Sequence, residues 1–375
     1  MTSSRRTWIK QTSWSLAALG IAPSLIGAPL KKVGVGLPAD PSPVGNIILL
    51  NSNENAYGPS QLTQKAMAQA LSSSNRYPDE EVPVFKKKLA GFWGTKSENM
   101  IMGAGSSEIL GLVSRWLAQQ KGNVIIGEPS YRVWNGQAEQ YGLSFIRVPL
   151  DEEKKLDLDK MLSAVNAETR MVYICNPNNP TGTYSDHAKL QAFVAECSKK
   201  CFVLVDEAYT EFADLKSLAP EASNNPNLLV AKTFSKIYGL AGARAGFGIS
   251  HPDTINKLAA LQPWPDVAVS QVTAAAASAA LDDQEFVKFC RQKTAEARQM
   301  VFDCCKELKL DYIPSSTNFV LFNIDSLKCD LSQAMEKKNI MVQYRQHFGG
   351  KWCRVSMGTV EEMKVFCNSL KQICG

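Results

Sequence analysis

The sequence is poor in the residues that build metal sites. Its 375 residues include three histidines, His187, His251 and His347, and no two of them are close along the chain. The ten cysteines are scattered and contain no Cys-x-x-Cys pair. Because structural zinc needs closely spaced Cys and His ligands, the sequence predicts no protein-built metal site.

Concentrated charge and long apolar runs are also scarce. The formal net charge of +5 is small for this length, and no dense Lys/Arg block is interleaved with aromatic residues. A nucleic-acid partner is therefore not expected. A membrane-spanning helix needs about 20 mostly apolar residues, whereas the apolar stretch at residues 16–22 is short and is interrupted by Gly20 and Pro23. Stable membrane insertion is not expected either.

The first 28 residues resemble a twin-arginine export signal. The basic stretch Arg5-Arg6-Thr7-Trp8-Ile9-Lys10 precedes the apolar segment, and the small residues Gly27-Ala28 follow it. Residues 29–45 are rich in Pro, Gly and Ala, which is typical of a linker or N-terminal arm. We expect a periplasmic or otherwise exported protein. The alternative is a cytoplasmic protein whose basic N-terminus has no targeting role.

From residue 46 onwards, short apolar runs alternate with segments of helical period. The predicted strands are residues 99–102, 123–126, 171–174, 202–205 and 228–230, and the predicted helices are residues 107–118, 134–141, 186–197 and 253–261. This alternation predicts an α/β protein with a mostly parallel sheet covered by helices on both faces. After residue 265, long helices at 269–281 and 284–308 and strands at 318–322 and 352–356 indicate a smaller α+β region.

Polar residues directly after the apolar runs are the first candidates for a site, because ligands of open α/β sheets bind at the carboxyl ends of strands. The stretch Asn176-Pro177-Asn178-Asn179-Pro180-Thr181-Gly182 follows one run, although a simple turn would have the same composition. Asp206 ends the run at 202–205, where a buried carboxylate needs a cationic partner. A protonated pyridine nitrogen is such a partner. A helix-capping or internally paired Asp206 remains the alternative.

A lysine follows the run at 228–230, in the stretch Thr233-Phe234-Ser235-Lys236. Desolvation at such a place lowers the pKa of a lysine, which suits Schiff-base chemistry. Thr233, Ser235 and Arg244 offer donors for a phosphate group. For the Ser235-Lys236 pair alone, a solvated surface loop is the alternative.

A glycine loop, Gly103-Ala104-Gly105-Ser106-Ser107, follows the run at 99–102 and opens a predicted helix. Its backbone N–H groups are suited to binding an anion. The same loop begins a dinucleotide-binding fingerprint, with Glu128 as a candidate ribose ligand. Because Glu108 takes the place of the third glycine, the nicotinamide interpretation rests on a partial motif.

Three motifs together resemble the class I/II aminotransferases that depend on pyridoxal 5′-phosphate (PLP): Asn179-Pro180-Thr181-Gly182, Asp206-Glu207-Ala208-Tyr209, and Ser235-Lys236 with Arg244. Asn179, Asp206, Lys236 and Arg244 follow one another at family-like separations of 27, 30 and 8 residues. Segments 53–59, 75–79, 129–131, 317–320 and 354–359 are similar to the histidinol-phosphate aminotransferase branch. The resemblance covers about residues 46–375.

The resemblance implies a PLP-dependent transferase fold like that of aspartate aminotransferase. In that fold a large domain contains a mostly parallel seven-stranded sheet and is joined to a smaller α+β domain. We accordingly expect an N-terminal segment packing with the small domain (residues 46–75), a large PLP-binding domain (76–265) and a small C-terminal domain (266–375). A homodimer is implied as well.

The resemblance also implies a role for each candidate residue. Lys236 would hold PLP as a Schiff base and then move the proton, Asp206 would pair with the pyridine nitrogen, and Tyr131 would stack on the ring. Asn179 and Tyr209 would bond the phenolic oxygen. The phosphate would be bound by Ser106, Ser107, Thr233, Ser235, Arg244 and a second subunit's Tyr77. The substrate would be bound by Asn55, Tyr57, Arg345 and Arg354.

Three residues depart from the family pattern. Ala56 replaces a common Pro, Ser107 replaces a common Asp, and Gln343 stands about where the branch often has an arginine for the substrate phosphate. On a strand, Arg345 would point to the same face as Gln343 and could compensate.

The reaction expected from the resemblance is transfer of an amino group between an amino acid or a phosphorylated amine, similar to histidinol phosphate, and a 2-oxo acid. Decarboxylases, including those acting on threonine phosphate, lyases and racemases share the same cofactor residues, so these reactions stay open. A nicotinamide-dependent oxidoreductase and a non-catalytic binding protein are the remaining alternatives.

Overall fold

The computed structural model describes residues 47–374. The expected export signal (1–28) and the N-terminal arm (29–45) lie outside the described residues. Between residues 47 and 374, no helix is long and apolar enough to cross a membrane.

Seven strands form the largest sheet. In chain order the first strand is β1 (Ile48–Leu49), and the seven that follow are β2 (Met100–Ala104), β3 (Asn123–Glu128), β4 (Ser144–Pro149), β5 (Thr169–Cys175), β6 (Phe202–Asp206), β7 (Leu228–Thr233) and β8 (Ala245–Ser250). Their order in the sheet is β2-β8-β7-β6-β5-β3-β4. Strand β8 runs antiparallel to both of its neighbours, β2 and β7, and the other neighbouring pairs are parallel. The predicted mostly parallel seven-stranded sheet is therefore confirmed.

Helices cover both faces of this sheet. The α-helices are α1 (Gln61–Ala70), α2 (Glu81–Phe92), α3 (Ser106–Leu117), α4 (Arg132–Gln140), α5 (Leu158–Ser163), α6 (His187–Cys197), α7 (Thr210–Ala213), α8 (Ala219–Ala222), α9 (Pro252–Ala259), α10 (Gln271–Asp282), α11 (Gln284–Glu307), α12 (Leu331–Glu336) and α13 (Val360–Cys374). Short 3-10 helices span Leu71–Ser73 and Ser97–Asn99. Each helix predicted above is present, with ends that differ by at most about two residues.

Successive residues of a central strand pack into different cores. Val172 and Ile174 of β5 belong to one buried apolar cluster, whereas Met171 and Tyr173 belong to another. Neighbouring side chains of a strand point to opposite faces of the sheet. A strand that is buried on both faces must therefore be apolar throughout, which explains the uninterrupted apolar runs of the sequence.

A second, four-stranded antiparallel sheet lies towards the C-terminus. It consists of β9 (Tyr312–Ile313), β10 (Phe319–Asn323), β12 (Gln343–His347) and β13 (Gly350–Ser356), in the order β12-β13-β10-β9. The remaining strand, β11 (Ile340–Met341), pairs in parallel with β1. The start of the described chain thus adds to the C-terminal part of the fold. The domain boundaries given above stay predictions.

Candidate active site

A cavity of about 370 Å³ lies at the carboxyl ends of β5, β6 and β7. Residues of β12 and β13, and the segment that follows β1, contribute to the same cavity. Most of the predicted site residues line it: Ser106, Ser107, Tyr131, Asn179, Asp206, Tyr209, Thr233, Ser235, Lys236, Arg244, Arg345 and Arg354. Side chains from opposite ends of the sequence are therefore brought to one place.

Lys236 follows the end of β7 by three residues, and its amine faces the cavity. Its Nζ donates a hydrogen bond to the carbonyl oxygen of Asn53 at 3.2 Å and lies 5.6 Å from the centre of the Tyr209 ring. Burial, helped by the charge of Arg354 and opposed by that of Glu54, lowers the pKa of Lys236 to about 8. The lysine is the desolvated amine that the sequence predicts, and not part of a solvated surface loop.

Asp206 is the last residue of β6 and is almost fully buried. Its Oδ1 accepts the backbone N–H of Ala208 at 3.1 Å, and its Oδ2 accepts the hydroxyl of Tyr173 at 3.0 Å. Burial raises the pKa of Asp206 to about 6, although these two hydrogen bonds and the charge of Lys236 lower it. In the described part of the chain, no basic side chain forms an ion pair with this carboxylate. The internal salt bridge considered above is thus absent from residues 47–374.

An anion-binding corner lies where β2 leads into α3. Gly105 precedes the helix with a φ of +82° and provides no side-chain cap, so the first N–H groups of α3 have no partner within the helix. The Nη2 of Arg244 donates to the carbonyl oxygen of Ala104 at 3.0 Å and to the Ser107 hydroxyl at 3.1 Å. Backbone N–H groups and a guanidinium therefore converge on one point, which favours a phosphate.

Two hydroxyl side chains at and just after the end of β7 also contribute to this anion-binding corner. The Thr233 hydroxyl donates to the Ser235 hydroxyl at 2.9 Å, and the backbone N–H of Ser235 donates to the Thr233 hydroxyl at 3.1 Å. Both residues line the cavity next to Lys236. The hydroxyl pair and the arginine flank the same space.

A hydrogen-bonded chain of side chains links the two sheets across the cavity. Nη1 of Arg354, on β13, donates to Oδ1 of Asn179 at 2.9 Å, and Nη2 donates to the carbonyl oxygen of Asn51 at 3.0 Å. The amides of Asn179 and Asn53 both donate to the Tyr209 hydroxyl, at 3.3 and 3.2 Å. Nε of Arg354 is buried without a partner among the described residues. This orphaned donor is available to an acidic group that enters the cavity.

Alternate residues of β12 face the cavity. Gln343, Arg345 and His347 all line it, as expected for residues that point to one side of a strand. Arg345 is exposed at this wall, and its Nη1 donates to the carbonyl oxygen of Tyr344 at 2.9 Å. Arg345 therefore stands on the same face as Gln343, as the sequence predicts.

Three predicted site residues do not line this cavity. The amide of Asn55 donates to the carbonyl oxygen of Ile237 at 2.7 Å, one residue beyond Lys236, and so supports the lysine loop. The Tyr57 hydroxyl accepts the backbone N–H of Val360 at 3.3 Å. Tyr77 is about two-thirds exposed and packs against Trp264, with 5.0 Å between ring centres.

Three further residues at the site were not expected from the sequence. Asn53 has a left-handed backbone with φ of 54°, which turns its carbonyl oxygen towards Lys236. Glu54 lines the cavity beside it. Tyr173 lies inside an apolar run and bonds Asp206 from within β5. Asparagine is among the few residues that adopt this backbone conformation readily, and this is the one local cue the sequence holds.

The chain is similar to known proteins over most of its length. Residues 45–370 match the family model for aminotransferase class I and II. The chain belongs to the class I and II aminotransferases. It is 34% identical over 349 residues to a histidinol-phosphate aminotransferase of Halalkalibacterium halodurans, covering 91% of this chain and 94% of the relative. A histidinol-phosphate aminotransferase of Bacillus licheniformis is 35% identical over 329 residues, covering 86% and 90%.

A solved structure is similar as well. The histidinol-phosphate aminotransferase of Sinorhizobium meliloti in complex with pyridoxal 5′-phosphate superposes with a TM-score of 0.80 at 29% identity, covering 87% of this chain and 90% of that one. These matches place the chain in the histidinol-phosphate branch of the family. It is a PLP-dependent aminotransferase, and the decarboxylase, lyase and nicotinamide alternatives are not favoured.

The residues of the cavity fit this cofactor. A buried carboxylate without an ion-pair partner among the described residues suits a protonated ring nitrogen, and a helix N-terminus beside Arg244 suits a phosphate. Lys236, with its lowered pKa, lines the same cavity as these two groups. The cationic ring, the phosphate and the aldehyde of PLP each have a matching group in this chain.

Proposed function

We propose that this aminotransferase reacts through Lys236, with Tyr131 stacked on the cofactor ring and the carboxylate of Asp206 paired with the ring nitrogen. The observation that carries the proposal is that one cavity of the described chain holds both a lysine with a lowered pKa and a buried carboxylate that has no ion-pair partner among the described residues. When bound, PLP supplies an electron-withdrawing ring that stabilises negative charge at the substrate carbon and stores the amino group. Residues of this chain bind the cofactor, orient it and move the proton.

Lys236 binds the cofactor and moves the proton. At pH 7 an amine with a pKa near 8 is neutral in about one molecule in ten, whereas an ordinary lysine is neutral in fewer than about one in a thousand. The neutral Nζ would hold PLP through its aldehyde group, and once the incoming amine has freed it, the lysine amine would accept the proton from the substrate carbon and give it up again. Burial, which opposes the charged form, makes both tasks feasible near neutral pH.

Asn179 and Tyr209 orient the ring, and the anion-binding corner fixes the phosphate. The Tyr209 hydroxyl already accepts two amide hydrogen bonds, so its own proton is free to point into the cavity. Ser106, Ser107, Thr233, Ser235 and Arg244 bind the phosphate through N–H, hydroxyl and guanidinium groups. A ring held at both ends keeps its reactive carbon beside Lys236.

The substrate is a small amine or amino acid that carries an acidic group, histidinol phosphate among the candidates. Arg354 offers its buried Nε, which has no partner among the described residues, and Arg345 offers an exposed guanidinium, both on the wall formed by the four-stranded sheet. The relatives that match this chain are named for histidinol phosphate. Gln343 provides no charge at its position, so Arg345 is the cation that takes the substrate's phosphate or carboxylate.

The substrate is tested by adding single amino donors, without a keto acid, to the purified enzyme and recording the visible absorbance of its cofactor. We expect one anionic donor to convert the cofactor to its amine form. Arg345→Gln should raise the KM for that donor at least about tenfold with little change in kcat, because it removes a charged contact made equally before and during the reaction. Persistence of the absorbance with every donor, or release of carbon dioxide or ammonia, would contradict the proposal.

The role of Lys236 is tested separately. Lys236→Ala removes the amine without filling the cavity, so we expect multiple turnover to be lost while the thermal unfolding midpoint changes little. Lys288→Ala, in an exposed ion pair on α11, is the matched control and should keep full activity. Repeated turnover by the Lys236 variant would refute the assignment.

The protein works as a homodimer in which Tyr77 reaches the phosphate of the other subunit. Tyr77 and Trp264 form an exposed aromatic pair that does not line the cavity of its own subunit. Exposed aromatic groups of this size are typical of protein interfaces. Contact with a second copy would bury them.

Mixed dimers test whether Tyr77 contributes to the site of the other subunit or to that of its own subunit. Tyr77→Ala and Lys236→Ala subunits are each impaired alone, and they are co-expressed with different tags. If Tyr77 crosses, each mixed dimer contains one site with both residues intact, and activity returns to about half of the native value. If Tyr77 serves its own subunit, no mixed site is complete and activity stays low.

The protein is exported by the twin-arginine route. The supporting observation is the Arg5-Arg6 pair before a short apolar stretch. We expect Arg5→Lys/Arg6→Lys to retain the protein in the cytoplasm, as fractionation would reveal. Unchanged export of this variant would contradict the proposal.

A further inference from the structure

Tyr173 is a buried polar residue that the reaction described above does not use. It lies on β5 with about 1% of its surface exposed, inside an otherwise apolar run. Its hydroxyl donates to Oδ2 of Asp206 at 3.0 Å. A phenylalanine would fill the same core volume without the desolvation that a buried hydroxyl costs. The desolvation of this hydroxyl is therefore offset by its hydrogen bond to the carboxylate of Asp206.

The Tyr173 ring is held in place from behind. Trp134 of α4 stacks on it with 4.3 Å between ring centres and an angle of 23°. The indole N–H of Trp134 donates to the Ser114 hydroxyl at 2.8 Å and to the carbonyl oxygen of Leu110 at 3.1 Å, both on α3. Stacking and these hydrogen bonds fix the ring, so the direction of the hydroxyl is fixed too.

The carboxylate of Asp206 has one protein donor for each oxygen. Ala208 bonds Oδ1 from the following turn, and Tyr173 bonds Oδ2 from the neighbouring strand. Donors on two different elements define the plane of the carboxylate as well as its position. Hydrogen bonds to a charged acceptor also favour its charged form.

We propose that Tyr173 is a positioning residue, which keeps the carboxylate of Asp206 ionised and aimed at the ring nitrogen of the cofactor. The inference rests on the proposed role of Asp206. Trp134 and Ser114 act behind Tyr173 as a rigid support. None of the three lines the cavity.

Other groups also face this carboxylate. Lys236 favours its charged form, and Glu207 opposes it. Tyr131 and Cys175 also interact with it, and burial raises the pKa of Tyr131 to about 12 and that of Cys175 above its ordinary value. Both therefore stay neutral at working pH. A change in PLP affinity between pH 5 and 7 that depends on Tyr173 therefore reports on the ionisation of Asp206.

The test measures the dissociation constant of PLP from the cofactor-free protein between pH 5.5 and 9, by fluorescence quenching. Cofactor binding needs the ionised carboxylate, so affinity falls as pH drops through the pKa of Asp206. Tyr173→Phe removes one donor and should weaken binding about tenfold near neutral pH and move this fall upwards by about one pH unit. Tyr141→Phe, which removes an exposed hydroxyl at the end of α4, should do neither.

A double-mutant cycle separates positioning from packing. Asp206→Asn has no charge to stabilise, so adding Tyr173→Phe to it should change PLP affinity by less than about twofold. A similar loss in both backgrounds would show that the hydroxyl acts through packing, and the proposal would be overturned. An unchanged affinity and pH profile in Tyr173→Phe alone would overturn it too. If Asp206→Asn itself binds PLP like the native protein, the error lies in the role given to Asp206.

Tyr173→Phe keeps the buried ring, and circular dichroism would verify its fold. Trp134→Phe is the second variant, because it keeps the hydroxyl but loses the indole anchor on α3. It should shift the pH profile in the same direction by a smaller amount. No shift in a folded Trp134→Phe, combined with a Tyr173→Phe that does not fold, would count against the proposal.

Discussion

The carboxylate of Asp206 should lower the free energy of unfolding of the cofactor-free protein. Its pKa is raised by burial from an ordinary 3.8 to about 6. The folded state therefore keeps the proton to a higher pH than the unfolded state. Stability that is present below about pH 3.8 is lost as the pH rises to about 6. The difference of about 2.2 units corresponds to about 3 kcal/mol at pH 7.5.

Asp206→Asn removes this cost because the amide stays neutral. We expect urea unfolding of the cofactor-free variant to give about 3 kcal/mol more stability than the native protein at pH 7.5. At pH 4.5, where the native carboxyl is largely protonated in the folded state, the gain should fall to about 1 kcal/mol. Asp311→Asn, at an exposed position, should change stability by less than about 0.5 kcal/mol at either pH.

Two results would refute this reasoning. One is an Asp206→Asn variant that is no more stable than the native protein at pH 7.5, and the other is a gain of equal size at both pH values. With saturating PLP the native protein should become the more stable of the two, because the stabilisation by a ligand grows with the logarithm of its concentration divided by its dissociation constant. The native protein should then gain more from the cofactor than Asp206→Asn does.

Two further substitutions test the cofactor corner and the core. Gly105→Ala puts a side chain at a φ of +82° and against the Arg244 guanidinium, so PLP affinity should fall by about tenfold or more in a titration, whereas Gly91→Ala, with open space around it, should leave affinity unchanged. Lys232→Met leaves the buried Glu207 and the partly buried Glu211 without their cation and should cost about 3–5 kcal/mol in urea unfolding, against less than about 0.5 kcal/mol for the exposed Lys288→Met.

The sequence predicts the half of the site that is local in the chain. Asp206 directly ends a buried strand, and Lys236 and Asn179 follow strand ends by a few residues. An apolar run of about four residues signals each such strand. Because parallel strands end at the same edge, the candidate residues converge without any knowledge of their contacts.

The other half depends on contacts between distant segments. Asn53 is held by Ser356, 303 residues away, through hydrogen bonds of 2.8 and 3.0 Å, and no local pattern encodes this pairing. The strand β8 is hidden in a similar way. Its Gly246 lets the backbone pass close to the first N–H of α3, so the strand carries glycines where apolar side chains would have revealed it.

Two lysines four residues apart show why the charge environment, and not burial, selects the reactive amine. Lys232 is the more buried of the two, and burial alone would lower its pKa, but Glu211 and Glu207 at 3.0 and 3.1 Å hold it above the ordinary value. Among the described residues, Lys236 has no carboxylate in ion-pair contact, and burial and Arg354 lower its pKa to about 8. Lys232 therefore keeps its proton and stabilises the fold through its two ion pairs. Lys236 can give its proton up, and chemistry at neutral pH depends on that difference.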